Sequence, residues 1–329
     1  MANLVSIIIP CYNGERFIDQ SMESVFIQDY PSMELIVVDD GSTDSSREKI
    51  LAWENSFAEK GILLKYLHQE NQGPGSATNL ALKHVTGVYL TLLDADDVYL
   101  PGAIRKKAEF LDKNPEYAGV RNNGWRVCGE DRRLFIQSEE EKQITDLFTA
   151  LSFRRTNNWA GTYMVRTSIL FEAYPDRNID PSRLGQNFQI LLPVAYGRKF
   201  GYIDEPLMEY RIQSESHSQA IGAEAQYEKD CRNSAGWREI YIGILHWLVV
   251  DPEERQYYHR AYDSAYYRAA VTRAIGHHRT ADADQNYKLL KETGYLTMED
   301  RIEYAAAFQP LRSYLLRVVY KVSRILRGG

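Results

Sequence analysis

The chain has 329 residues, a net charge of −6, and 44% hydrophobic against 26% charged residues. That length supports a sizeable core in one large domain or two ordinary ones. The acidic balance argues against a general nucleic-acid binder. Three widely spaced cysteines, Cys11, Cys128 and Cys231, form neither a disulfide framework nor a metal-binding spacing, which fits a reducing, cytoplasmic compartment.

The opening MANLVSIIIP lacks the basic and long apolar regions of a signal peptide and reads as a strand. No uncharged run reaches the roughly 18 residues that would span a bilayer. Three short apolar runs follow one another: Val5–Ile9, Leu35–Val38 and Tyr89–Leu93. Continuous runs of this kind suit strands buried on both faces. Between them, Glu15–Phe26 repeats its apolar residues near a 3.6 period, the Ser/Asp cluster from Gly41 caps a second helix, and Ser76–Val85 forms a third. Strand and helix in alternation predict a doubly wound α/β sheet. Residues 115–215 read as mixed, with strands in VRNNGWRVCG and NNWAGTYMVR; beyond about 220 the pattern is helical. The expected division is therefore 1–220 and 221–329.

Open α/β sheets bind ligands beyond the carboxyl ends of their strands. There the sequence presents Pro10-Cys-Tyr12-Asn13, then Asp39-Asp40-Gly41-Ser42, then Asp94-Ala-Asp96-Asp97. Clustered carboxylates raise one another's pKa unless a cation lies among them, and Mg²⁺ is commonly held by one or two carboxylates plus phosphate oxygens. The same acids also suit the N-terminus of a helix running through DDVYLPGAIRKKAEFL. GPGSATN lacks the third glycine of a dinucleotide fingerprint, and a helix start explains it as well as phosphate binding does.

Taken in order, these segments resemble the family 2 glycosyltransferases of GT-A fold, densely over residues 4–102 and loosely over 199–212. The resemblance implies a Rossmann-like, mostly parallel sheet, a nucleotide-sugar donor (most often a UDP-sugar), Mn²⁺ or Mg²⁺, and inversion at the anomeric carbon. It implies that Pro10, Tyr12, Asn13, Asp39, Asp40, Asn79 and Asp94 border the donor, with Tyr12 beside the base and Asp39 accepting a uracil N–H. Asp96 and Asp94 become metal ligands, with His217 as a third ligand, a phosphate donor or a plain loop residue.

Two departures bear on chemistry. Ala77-Thr78-Asn79 stands where the family has Ala-Arg-Asn, and Gln186-Asn187 where many members carry a Glu-Asp pair whose Asp is the usual base. An amide takes no proton at useful pH. Asp180 and Asp97 are the candidate substitutes; the alternative is a non-catalytic, nucleotide-sugar-binding partner subunit. A nucleotidyltransferase is disfavoured because no Gly-rich, basic N-terminal loop is present. Arg211 pairs with phosphate or with an acid, and Trp159 lines an acceptor groove or the core.

Residues 312–327, RSYLLRVVYKVSRILR, place Leu315, Val318, Val319, Val322, Ile325 and Leu326 on one helical face and basic residues on the other. Such a segment suits peripheral contact with an anionic membrane or docking on the protein itself. With the resemblance, this points to a polysaccharide or lipid-linked glycan acceptor at the inner face of a bacterial membrane. A homo-oligomer is compatible with the sequence.

Overall fold

The structure, a computed structural model, describes residues 2–156, 158–212, 222–308 and 320. His217 and all of the segment 312–327 except Tyr320 lie outside the described residues. The chain divides into two compact units, one of Met1–Leu151 with Arg155–Ser216, the other of Ser152–Arg154 with His217–Gly329.

The first unit opens with β1 (Val5–Cys11), α1 (Ile18–Phe26), β2 (Met33–Asp39), α2 (Ser46–Ala52), α3 (Glu54–Glu59), β3 (Leu63–His68), α4 (Pro74–Leu82) and β4 (Tyr89–Leu92). It continues with β5 (Val98–Tyr99), α5 (Ala103–Lys113), β6 (Tyr117–Cys128), β7 (Asp131–Leu134), α6 (Glu139–Lys142), α7 (Leu147–Ser152), β8 (Tyr163–Arg166), α8 (Thr167–Ala173), α9 (Gln186–Ala195) and β9 (Lys199–Arg211). The strands form one sheet in the order β3-β2-β1-β4-β8-β6-β9-β5, with β7 paired to β6.

The first four strands of that order are parallel, as alternating strand and helix dictate. Every residue of β2 is buried, and only Pro10 of β1 is partly open, so helices cover both faces and the apolar runs need no alternation. From β4 outward the sheet turns mixed: β4–β8 and β8–β6 pair antiparallel, whereas β6–β9 is parallel. Residues 158–161 of the middle segment are loop, and the strand there is confined to Tyr163–Arg166.

The acids at 94–97 do not begin a helix. They precede β5, and α5 starts only at Ala103, behind Gly102 in the left-handed region at φ 78°. The helix-terminus explanation of the cluster is thereby removed.

The second unit is helical: α10 (Ala223–Leu248), α11 (Pro252–Gly276), α12 (Thr280–Glu292) and α13 (Met298–Phe308). Its tyrosines pack it. Tyr241 stacks on Tyr262 and Tyr287 on Tyr304, each with ring centroids 4.0 Å apart. Two forked ion pairs, Arg238–Asp263 and Arg268–Asp300, join α10 to α11 and α11 to α13.

Candidate active site

Strand register gathers the polar residues. Cys11 pairs with Asp39, Asp39 with His68, and Ile8 with Leu92, so the carboxyl ends of β3, β2, β1 and β4 finish at one edge. The strand order steps out in both directions from β1, and a crevice opens at such a switch point.

Two loops are laced together above β1 and β2. Asn13 adopts φ 50°; its N–H donates to Ser42 Oγ at 2.9 Å and its Oδ1 accepts from Thr43 N at 2.8 Å. Gly14 N donates to Ser46 Oγ at 2.8 Å. Pro10 is partly exposed, and Tyr12 stands 40% exposed at the edge of this lacing.

Asp39 is buried and still anionic. Burial pushes its carboxyl upward, but donors from Ser42, Tyr66 and His68 outweigh that and hold it below the usual carboxylate range. Ser42 N and Tyr66 Oη each lie 2.8 Å from it, and His68 Nδ1 3.4 Å. Tyr66 and His68 come from β3, which the apolar-run reading misses because this edge strand is half exposed throughout. The signal was present in KYLHQ, where a tyrosine and a histidine sit two residues apart and so face one side.

Asp40 points elsewhere. Its Oδ1 accepts from Gln69 Nε2 and Gln72 N, and its Oδ2 from Gly73 N at 2.8 Å. It therefore shapes the turn that enters α4. Asn79 is likewise engaged: Nδ2 donates to Ile179 O at 2.8 Å and Oδ1 accepts from Ile179 N at 2.7 Å. This double bond fixes the loop bearing Asp180 against α4. The approach is so close that a Cβ on Gly75 would sit 2.4 Å from Ser182 O. Thr78, at the position of the family's arginine, is buried and bonds back to Pro74 O at 2.7 Å.

At the end of β4, Asp94 and Asp96 are partly exposed and Asp97 is fully buried. Burial, then the charge of Asp96, pushes the Asp94 carboxyl up to about 7. Burial, then Asp94 and Asp96, pushes Asp97 well above the usual range, against the opposing pull of the Arg211 backbone and side chain. Asp97 Oδ1 accepts from Arg211 N at 3.0 Å, which fastens the acidic turn to β9, while its Oδ2 has no partner. Asp180 is exposed on its loop, with Oδ1 accepting from Ser182 N at 2.9 Å.

These acids suit a hard cation. Three carboxylates crowd one turn, two have raised affinity for protons, and one buried oxygen lacks a donor, as expected where positive charge belongs. Among the described residues no group of three or more His, Cys, Asp or Glu side chains has the arrangement of a complete protein cage. The fit is to a site that protein carboxylates fill only in part, the remaining ligands coming from a diphosphate.

Further groups surround the acids that sequence reasoning did not assign to the site. The burial-raised hydroxyl of Tyr163, raised further by Asp94, donates to Asn187 Oδ1 at 2.7 Å. Asn187 is thus held as an acceptor by a phenol that feels the charge of Asp94. Tyr210 is raised by burial and then by Asp97, Asp96 and Asp94. Its ring belongs to an aromatic group with Trp159 and Phe135, the last two stacked at 4.1 Å and 10°. The loop carrying Trp159 is bonded to β4 through Gly161 N and Leu92 O. Gly161 needs its freedom, with φ 82° and Leu93 Cδ1 only 3.3 Å from where a Cβ would be. Buried Lys107 donates to Gly161 O at 2.9 Å from behind and lies 4.5 Å from the Tyr99 ring centroid.

Comparison with known proteins agrees with this geometry. The model of Glycosyl transferase family 2 matches residues 6–172. An uncharacterized glycosyltransferase of Nostoc sp. is 28% identical over 70% of this chain and 71% of its own length. An uncharacterized glycosyltransferase of Rickettsia bellii is 40% identical over 43% of this chain, which spans only 20% of that longer relative. Among solved structures, S. aureus TarS 1–349 in complex with UDP-GlcNAc superposes with a TM-score of 0.55 at 21% identity, over 88% of this chain and 90% of that one. The mannosyltransferase PcManGT from Pyrobaculum calidifontis, in complex with GDP-Man and Mn²⁺, gives 0.57 at 15% identity over 100% and 89%. With half of its length matched by the family model and a sheet of the GT-A kind beneath the acids, the chain belongs to glycosyl transferase family 2.

Proposed function

We propose that this glycosyltransferase moves a sugar from a UDP-sugar to a polysaccharide or lipid-linked glycan, in one inverting displacement that depends on Mn²⁺ or Mg²⁺. The observation that carries the reading is the acidic turn at 94–97, crowded, proton-hungry and short of a donor at Asp97. TarS bound to UDP-GlcNAc and PcManGT bound to Mn²⁺ support the donor class and the ion. Asp96 and Asp94 are the protein ligands. A divalent ion there supplies Lewis-acid neutralisation of the departing diphosphate.

The remaining roles belong to the chain's own groups. Asp39, held as an acceptor-only carboxylate, takes the N–H of the base; Tyr12, Pro10 and Asn13 border that base. Asp40 and Asn79 act at one remove, by fixing the turn into α4 and the 179–185 loop. Asp180 accepts the acceptor hydroxyl's proton on a carboxylate oxygen as the hydroxyl oxygen attacks the anomeric carbon. Asp97 anchors the acidic turn to β9. Trp159 with Tyr210 offers an aromatic surface beside the acids for the acceptor sugar.

The deciding experiment is calorimetry with UDP-sugars, with and without Mn²⁺, on wild type and Asp96→Asn, run beside a transfer assay. Metal-assisted uptake that Asp96→Asn loses, together with turnover, is the expected result. Absence of metal-assisted uptake for every donor tried removes the reading. Uptake without turnover selects the non-catalytic partner subunit, which the amide Asn187, bonded to Tyr163, favours.

A further inference from the structure

Lys107, on α5, is a fully buried amine to which the proposed transfer chemistry gives no part. Burial alone lowers it to about 7, with no neighbouring charge contributing. An amine taken out of water costs more than a methionine of similar length unless its hydrogen bonds are needed. Lys107 Nζ donates to Gly161 O at 2.9 Å and lies 4.5 Å from the Tyr99 ring centroid.

Those two contacts lead to one atom. Gly161 N donates to Leu92 O, and Tyr99 Oη donates to the same oxygen at 3.1 Å. Leu92 ends β4 just before Asp94, and Tyr99 follows just after Asp97. Lys107 therefore sits behind the joint where the Trp159–Thr162 turn meets both ends of the acidic turn.

The Trp159–Thr162 turn has little freedom of its own. Thr162 N donates to Trp159 O at 3.1 Å; Thr162 Oγ1 donates to that oxygen at 2.7 Å and accepts from Trp159 N at 3.1 Å. Gly161 takes the third position at φ 82°, in the left-handed region that a type II turn requires there. A turn closed on itself in this way moves as one piece, so whatever fixes Gly161 also fixes the partly exposed Trp159 ring. Leu92 holds Gly161 by its N–H and Lys107 holds it by its buried C=O, which would otherwise lack a donor.

We propose that Lys107 is a positioning residue for transfer: it fixes the Trp159–Thr162 turn and so sets the aromatic surface of Trp159, Phe135 and Tyr210 at a constant reach from the acidic turn. The inference rests on the reading of that surface as the place where the acceptor sugar stacks. Amine and ammonium both donate to a carbonyl, so the hold does not depend on the charge of Lys107.

The test compares wild type, Lys107→Met and Lys107→Gln, each with and without Trp159→Phe, so that subtraction isolates the fluorescence of Trp159 from that of the other tryptophans. Lys107→Met should shift the Trp159 emission to longer wavelength and open it to acrylamide. Lys107→Gln keeps an N–H donor and should return part of the shift. UDP uptake with Mn²⁺ should match wild type in both, which reports an intact fold and donor side. In transfer to 4-nitrophenyl glycosides, Lys107→Met should raise the acceptor KM by about tenfold, the size of one hydrogen bond, leave the donor KM alone, and add nothing to Trp159→Ala. An unchanged Trp159 emission in Lys107→Met overturns the proposal, and so does an unmoved acceptor KM where Trp159→Ala raises it. Loss of UDP uptake in both Lys107 variants would make Lys107 a residue of the fold at large and overturn it as well. An acceptor KM that Trp159→Ala leaves at the wild-type value strikes the acceptor-surface reading instead, and the part of Lys107 in transfer goes with it. The emission arm decides whether Lys107 sets the turn even where none of these glycosides is accepted.

Discussion

At the scale of single residues, the chemistry turns on which carboxylates stay ionised. Asp39 and Asp94 stand at the ends of β2 and β4, on either side of β1 in the same parallel sheet, yet their environments push them apart. Asp39 receives donors from Ser42, Tyr66 and His68, whereas Asp94 faces Asp96 and loses water. An acceptor-only Asp39 matches an imide N–H, and an amide in its place would offer both a donor and an acceptor. Asp39→Asn should therefore weaken inhibition by UDP by about tenfold or more, with a smaller change for GDP, in competition assays. Equal inhibition of the two proteins by UDP would remove Asp39 from base recognition. Asp39, Asp94 and Asp96 could be singled out as candidates from the sequence because acids that end apolar runs are hard to assign to packing, and the register does bring the ends of β2 and β4 to one edge. Tyr66, His68, Tyr163 and Tyr210 could not, because their part depends on register between strands far apart in the chain. Asp40 and Asn79 show the converse. Both look like ligand-binding groups in the sequence, and both are occupied by backbone of their own fold.

Elements were legible where burial is complete and obscure where it is partial. The runs of β1, β2 and β4 announced themselves, β3 did not, and the change to antiparallel pairing after β4 leaves no mark in hydropathy. The contact of α4 with the 179–185 loop is of the same hidden kind, since Asn79 reaches Ile179 across a hundred residues of sequence. Asn79→Ala would leave the N–H and C=O of Ile179 unpaired in a buried place, at a cost of about 1–3 kcal/mol each unless water enters. The expected result is a lower melting temperature and a reduced kcat with little change in donor KM, because the loop carries Asp180 and not the donor contacts. A raised donor KM with kcat intact would show instead that Asn79 meets the donor directly. Packing of α5 against the Trp159 loop gives a pH signature. Burial lowers Lys107 to about 7, so between that value and the unfolded lysine's roughly 10.4 the unfolded chain holds more protons. Stability should then rise with pH across this window, by about 5 kcal/mol at most if the other groups are silent. Denaturation midpoints between pH 7.0 and 9.5 should climb for wild type relative to Lys107→Met, in which the raised carboxyls of Asp94 and Asp97 are left to lower stability as pH rises. An undiminished slope in the variant would mean that Lys107 does not titrate there.

For the whole molecule the open matter is where it works, and charge distribution gives the sharpest handle. The segment 312–327 holds five basic residues and no acid, so the remainder of the chain carries −11 of the total of −6. That remainder is repelled by an anionic bilayer, and no helix among the described residues is long and apolar enough to cross one. The basic segment is the expected source of attachment, each Lys or Arg near such a surface contributing about 1 kcal/mol. Attachment of this origin is screened over roughly 8 Å at physiological salt, so it should weaken steeply as salt is raised. The full chain should co-sediment with phosphatidylglycerol-containing vesicles at low salt, release at high salt, and ignore neutral vesicles. A chain trimmed after residue 310 should stay in the supernatant while retaining transfer to a soluble acceptor. Vesicle binding that survives the trimming, or that persists unchanged in high salt, would place the attachment elsewhere and leave a lipid-linked acceptor without support from this segment.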